Sequence, residues 1–144
     1  MRSENLCFST YVAPGSRLPP WVDTKSFELA PGRTATFVTS KTHRGVLPRL
    51  LEDLLAARKA TRKQLKALPQ DSPERQLLDG RQLAYKICAN SVYGFCGASR
   101  GMYSLKEIAE TTTCRGRQMI GITKKLMEDH FGADVIYGDT GDDN

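Results

Sequence analysis

Nine residues near the middle of this 144-residue chain, KICANSVYG over positions 86–94, set a lysine, an asparagine and a tyrosine four and three positions apart. In a helix that spacing gathers all three on one side, because a turn takes 3.6 residues. With Lys86 at zero on a helical wheel, Gln82, Asn90 and Tyr93 fall within about 40° of it. Leu77, Ala84, Ile87, Cys88 and Ser91 lie opposite. A lysine on an exposed face can neutralise a chain of phosphates, an asparagine one turn on can bond polar groups, and a tyrosine can lie against a base or sugar. The bland alternative, a solvated lysine beside a tyrosine at the edge of a core, does not account for the whole set.

Two further groups of residues bear on the same chemistry. Arg58 and Arg62 stand one helical turn apart, with Lys59, Lys63 and Lys66 beside them. The segment 41–66 holds eight Lys and Arg against only Glu52 and Asp53, whereas the rest of the chain is close to neutral within a net charge of +5. A concentration of positive charge suits polyphosphate or nucleic acid, although solvated helix faces are often basic too. Near the end of the sequence, VIYGDT at 135–140 puts Asp139 in a turn after a short apolar run. A carboxylate so placed is a candidate metal ligand.

Elements must exist to position these groups. Residues 5–12 (NLCFSTYV) predict a short strand, residues 13–33 a loop excursion rich in proline, and 34–39 (TATFVT) the returning strand. From Val46 the period becomes 3.6, with Leu47, Leu50, Leu51, Leu54 and Leu55 in one stripe, which predicts a helix ending near Leu68. Pro69 and Pro73 break the chain, Asp71 or Ser72 can cap a second helix over about 74–92, and Gly94, Gly97 and Gly101 are expected to end it. Two helices joined by a short turn make an antiparallel hairpin, and folding it brings Arg58 towards Lys86, 28 positions on. A third helix is expected to begin among Thr111, Thr112 and Thr113. Its apolar positions Met119, Ile122, Leu126, Met127 and Phe131 should pack against an apolar neighbour, and 133–137 (ADVIY) reads as a buried strand.

Composition narrows the field. No apolar run reaches the roughly 18 residues of a membrane span, and the N-terminus lacks the ordered basic and apolar regions of a signal peptide. An intracellular protein with reduced thiols is expected. The four cysteines form no C-x2-C pair and the two histidines stand far from them, so a zinc site is not expected. An EF-hand calcium loop is a poor account of the acidic end, since the terminal glutamate is absent.

The stretch 86–94 fits K-x3-N-S-x-Y-G and resembles the fingers motif of family B DNA polymerases. RGVLPRLL at 44–51 followed by ARK at 57–59 is similar to the family's first fingers helix, and LDGRQLA at 78–84 and YGFCGA at 93–98 have counterparts as well. VIYGDT is similar to the family's Y-G-D-T-D-S turn between two palm strands. The resemblance covers almost the whole chain and implies an α+β fold, with an antiparallel helical fingers hairpin inserted in a partial palm of short strands and a packed helix. It divides the chain into partial palm at 1–40, fingers at 41–98 and partial palm at 99–144.

What the resemblance implies for function is DNA-directed DNA synthesis, the template-directed addition of deoxynucleotides to a primer end by two-metal phosphoryl transfer. Arg58, Arg62, Lys86 and Asn90 would bind the nucleotide, Tyr93 and Gly94 would back the nascent base pair, and Asp139 would be catalytic as a ligand of Mg2+. Partners would be primer-template DNA, deoxynucleoside triphosphates and a sliding clamp or similar processivity factor, with no membrane. Where the family's second aspartate would stand this chain has Gly141, followed by Asp142, Asp143 and Asn144. The family's upstream D-x-x-S-L-Y-P-S-I motif is also missing, so the sequence reads as an internal fragment, inactive alone. Residues 1–10 look most like polymerases of large DNA viruses of algae and protists, with eukaryotic replicative enzymes next. The expected location is a viral replication site in the host nucleus or cytoplasm, or the nucleus for a cellular enzyme. A lesion-bypass relative would share these motifs. The rival outside the family is a basic helical-hairpin module that binds nucleic acid without catalysis.

Overall fold

The first ten residues do not form the expected strand. Asn5 takes a positive φ of 55°, and turn bonds from Leu6 N to Met1 O and from Tyr11 N to Cys7 O coil the segment into a knot. Its apolar residues Leu6 and Cys7 are buried by that coiling rather than by a pleat. In this computed structural model, which describes residues 1–98 and 104–138, only Tyr11–Val12 is extended into a strand, β1. Two longer strands follow, β2 at Thr24–Ala30 and β3 at Arg33–Val38, and the sheet runs β1-β3-β2 with both pairings antiparallel. The loop predicted over 13–33 therefore contains a strand. Proline and glycine at its two ends hide it, and the alternation that marks it buries only Phe27 and half-buries Leu29.

Asn5 holds the knot to what comes next. Its side-chain amide donates to Val38 O and His43 O, both at 2.8 Å, and its carbonyl oxygen accepts from Gly45 N at 2.9 Å. All its bonding capacity is turned inward, so an otherwise costly buried amide is satisfied. Gly45 then caps the first helix, α1, at Val46–Lys66. The second, α2, runs Pro73–Gly97 and the third, α3, Lys106–Phe131.

One core joins the sheet to the roots of the helices. Phe37 lies 5.6 Å from Tyr11 and 6.2 Å from Phe27 between ring centroids, geometries that suit aromatic pairs. Leu47 and Leu51 from α1, Val92 and Cys96 from α2 and Ile108 from α3 complete it. Away from this base most residues of α1 and α2 are half-buried or exposed. The chain exposes 10393 Å², where a compact monomer of 16.0 kDa would expose about 7,400 Å².

Three expectations fail in ways that share a cause. α2 continues past Gly94 to Gly97, because Gly97 sits against α3, where an added Cβ would meet Ala109 Cβ at 3.2 Å. α3 begins at Lys106 rather than among the threonines. Thr111 and Thr112 lie inside the helix with their hydroxyls donating to Glu107 O and Ile108 O, which satisfies a polar side chain without breaking the helix. Residues 133–137 form no strand; an extended segment becomes a strand only beside a partner, and none pairs with it among the described residues. The apolar stripe of α3 is likewise exposed at Met119, Ile122, Leu126 and Phe131.

Candidate nucleotide site

The hairpin is closed at its tip by sequence-local chemistry. Ser72 caps α2, its hydroxyl accepting from Arg75 N at 3.1 Å, with Pro73 in the first turn where a missing N–H costs nothing. Arg75 then reaches back across the turn. Its guanidinium donates to Leu65 O at 2.8 Å and Leu68 O at 3.1 Å, adding to the backbone bond that Leu65 O takes from Leu68 N and tying α2 to the end of α1. This clamp fixes how far α2 is advanced along α1. Arg75 is the residue that sequence reasoning passed over. Its position three after a capping serine is visible in the sequence, but its carbonyl partners are not.

With the register fixed, Arg58, Arg62 and Lys86 line one cleft of about 400 Å³, together with Arg75, Asp79 and Gln82. Five cationic residues, Arg58, Arg62, Lys66, Arg75 and Lys86, spread over 28 positions, thus converge. Arg58 and Lys86 are half-buried, and Arg58 Nε donates to Gln82 Oε1 at 3.3 Å. Lys59, Lys63 and Lys66 are exposed on α1, and no carboxylate pairs with any of them among the described residues. By contrast Lys25, Arg33, Arg44 and Arg115 all have acidic partners. Like charges one turn apart cost roughly 0.2–0.5 kcal/mol each, so this half of α1 carries a run of positive charge that no carboxylate offsets among the described residues.

The helical wheel identifies the neighbours of Lys86 correctly, and Asn90 and Tyr93 are exposed as it predicts, whereas Gln82 and Lys86 are half-buried. The side bearing Gln82 and Lys86 faces α1, while the opposite side stands open, Leu77 and Ile87 being largely exposed. Lys86 therefore points across the hairpin, not away from it. Asn90 and Tyr93, further along α2, line a second and larger hollow of about 850 Å³ at the hairpin's root, with Leu51 from α1 and Thr112, Gly116 and Arg117 from α3. The structure brings Arg58, Arg62 and Lys86 together and places Asn90 and Tyr93 in the adjoining hollow. Gly94 lies beside it on α2, with no atom within 4 Å of the Cβ it lacks.

Two groups at the base of the site have shifted protonation. Burial pushes the Cys96 thiol up to about 11, helped by nearby Cys7, so it is an inert core thiol. Burial also works to raise Glu4, but hydrogen bonds from Lys25 and Arg115 outweigh it and hold the carboxyl below its usual range. Glu4 thereby ties the knot to β2 and to α3. Asp139, the expected metal ligand, lies outside the described residues, and no cluster of three or more His, Cys, Asp or Glu suited to a metal occurs among those described.

Comparison with known proteins meets this geometry from another side. The profile of DNA polymerase family B matches residues 1–142. DNA polymerase delta catalytic subunits from Glycine max and from Oryza sativa subsp. japonica are 46% and 47% identical over 97% of this chain, and that of Drosophila melanogaster is 43% identical over the same share. The chain spans only 13–14% of the length of these relatives. Among solved structures, the family B DNA polymerase from the hyperthermophilic archaeon Pyrobaculum calidifontis superposes with a TM-score of 0.73 and 35% identity, over 96% of this chain and 17% of that one. These relatives from plants and an insect favour the delta type, and the viral likeness expected from residues 1–10 finds no support in them. By the span of the profile match and by this likeness of fold, the chain belongs to DNA polymerase family B.

Proposed function

We propose that this chain is the nucleotide-binding part of a DNA-directed DNA polymerase of the delta type, and that its cleft grips the triphosphate of an incoming deoxynucleotide. The observation that carries the reading is the convergence of Arg58, Arg62 and Lys86 on one cleft. Arginines can fork two N–H groups onto phosphate oxygens and lysine adds a compact charge, so the three can hold the departing pyrophosphate as negative charge builds on it. Asn90 and Tyr93, in the adjoining hollow, would meet the sugar and base, and Gly94 would leave room for the nascent base pair. In this reading 41–98 is the fingers, and 1–40 and 99–144 are parts of the palm.

Magnesium bound to palm carboxylates would activate the primer hydroxyl and steady the phosphates. The described residues do not by themselves make such a site, so this chain's share in it rests on Asp139. Primer-template DNA and deoxynucleoside triphosphates are the proposed substrates, a sliding clamp the proposed processivity partner, and the nucleus the proposed location. No described helix is long and apolar enough to cross a membrane.

The test is single-nucleotide incorporation by the complete polymerase that carries this segment. Arg58→Ala and Lys86→Ala should each raise the nucleotide KM or lower kcat so that kcat/KM falls about 10- to 100-fold, the worth of a charged hydrogen bond. Affinity for primer-template should stay within about twofold, since the cleft and not the DNA path is altered. Unchanged incorporation kinetics would overturn the reading.

A further inference from the structure

Between Asp79 and Arg58 lies a side chain that the triphosphate reading leaves without a task. Gln82 Oε1 accepts from Arg58 Nε at 3.3 Å, and Gln82 Nε2 donates to Asp79 Oδ1 at 3.1 Å. All three residues line the same cleft. An arginine can only donate and an ionised carboxylate can only accept, so an amide placed between them has a single orientation that satisfies both. Asp79 and Gln82 are three residues apart on α2, where side chains meet on one face. The pair forms a strut that reaches from one helix of the hairpin to the other.

The strut engages Arg58 at the nitrogen least useful for gripping phosphate. Of the five N–H donors of a guanidinium, Nε carries one and the two terminal nitrogens carry four. Tying down Nε–H halts rotation of the guanidinium plane and leaves the terminal fork for an anion.

We propose that Gln82 is a positioning residue: held by Asp79, it fixes the plane of the Arg58 guanidinium so that its terminal N–H groups face the nucleotide triphosphate. This rests on the triphosphate reading of the cleft. Removing Gln82 leaves the cations of the cleft in place but lets the Arg58 guanidinium turn. The effect should therefore fall on nucleotide affinity and depend wholly on Arg58 being present.

The experiment is single-nucleotide incorporation by the complete polymerase carrying Gln82→Ala, Arg58→Ala, both together, or the exchange Asp79→Asn with Gln82→Glu. The exchange rebuilds the chain of bonds with the amide and carboxylate swapped, so that Arg58 Nε still meets an acceptor that is itself held by a donor. Gln82→Ala should raise the nucleotide KM about three- to tenfold, the range for one partly exposed hydrogen bond, with kcat within about twofold. It should add nothing in the Arg58→Ala background, and the exchange should bring KM back to within about twofold of wild type. A Gln82→Ala effect that persists undiminished without Arg58, or an unchanged KM in Gln82→Ala while Arg58→Ala is impaired, overturns the proposal and leaves the triphosphate reading standing. An Arg58→Ala enzyme with normal KM overturns both. A Gln82→Ala melting temperature within about 2 °C of wild type shows that its change in KM is not lost folding.

Discussion

Gly94→Ala separates the demands of the fold from those of the site. Gly94 lies within α2, its φ is not positive, and a Cβ built on it meets no atom within 4 Å. Folding alone therefore favours alanine, by about 0.5–1 kcal/mol for the backbone entropy that glycine loses in a helix. Taking about 2.1 cal/mol/K of unfolding entropy per residue, 144 residues give about 0.3 kcal/mol/K, so Tm should rise by about 2–3 °C. Gly97→Ala is the control, since there the new methyl would meet Ala109 Cβ at 3.2 Å and the gain should vanish. In the complete polymerase the sign should reverse. If a nascent base pair lies over Gly94, an added methyl displaces it, and misplacement of order 1 Å can cost about 100-fold in rate. The assay pairs calorimetric melts with single-turnover incorporation. A variant that is both more stable and fully active would refute a role for Gly94 beside the base pair, and a variant that melts earlier would refute the helical account of the position.

Two further outcomes concern the base that carries the hairpin. Gly45→Ala should destabilise the fold by about 1–3 kcal/mol, the usual cost of overpacking, because the new Cβ would meet Cys7 Cβ at 2.7 Å, Thr10 Cγ2 at 3.1 Å and Pro48 Cδ at 3.2 Å; a urea midpoint equal to wild type would contradict this. Glu4, its carboxyl held below the ordinary 4.5 by Lys25 and Arg115 in spite of burial, should stabilise the fold fully above pH 4.5 and lose that contribution as pH falls through its lowered native value. The Tm gap between wild type and Glu4→Gln should accordingly be constant from pH 8 to 6 and close in acid, and a gap that persists at the lowest pH would show that the ion pairs are not its source.

What was legible in the sequence follows from how locally each feature is determined. The hairpin helices were legible because period and capping are local. Leu47 and Leu51 lie on the buried side of α1 as their spacing predicts, and Ser72 with Pro73 begins α2. The knot at 1–10 was not, since a run of aromatic and β-branched residues looks alike whether it is pleated or coiled. What decides is Asn5, whose three partners, Val38, His43 and Gly45, stand 33 to 40 positions away. Strand β2 was missed for a similar reason, its identity lying in pairing with β3 rather than in its own weak alternation.

The site shows the same division more sharply. Spacing singled out Lys86 and the resemblance added Arg58 and Arg62, and the structure brings the three to one cleft. Spacing could not say that Lys86 looks inward. Helical periodicity reports which residues share a face; whether that face meets a partner or solvent depends on elements elsewhere. On α2 Gln82 and Lys86 are half-buried in the cleft against α1, Val92 and Cys96 are buried further along, and the side with Leu77 and Ile87 stays open. If the cleft binds a triphosphate as proposed, the bound anion should stabilise the hairpin. Saturating nucleotide should then protect the amides around 58–66 and 79–86 from hydrogen exchange more than those at the root of the helices, where Val92, Cys96 and Ile108 already supply an apolar core.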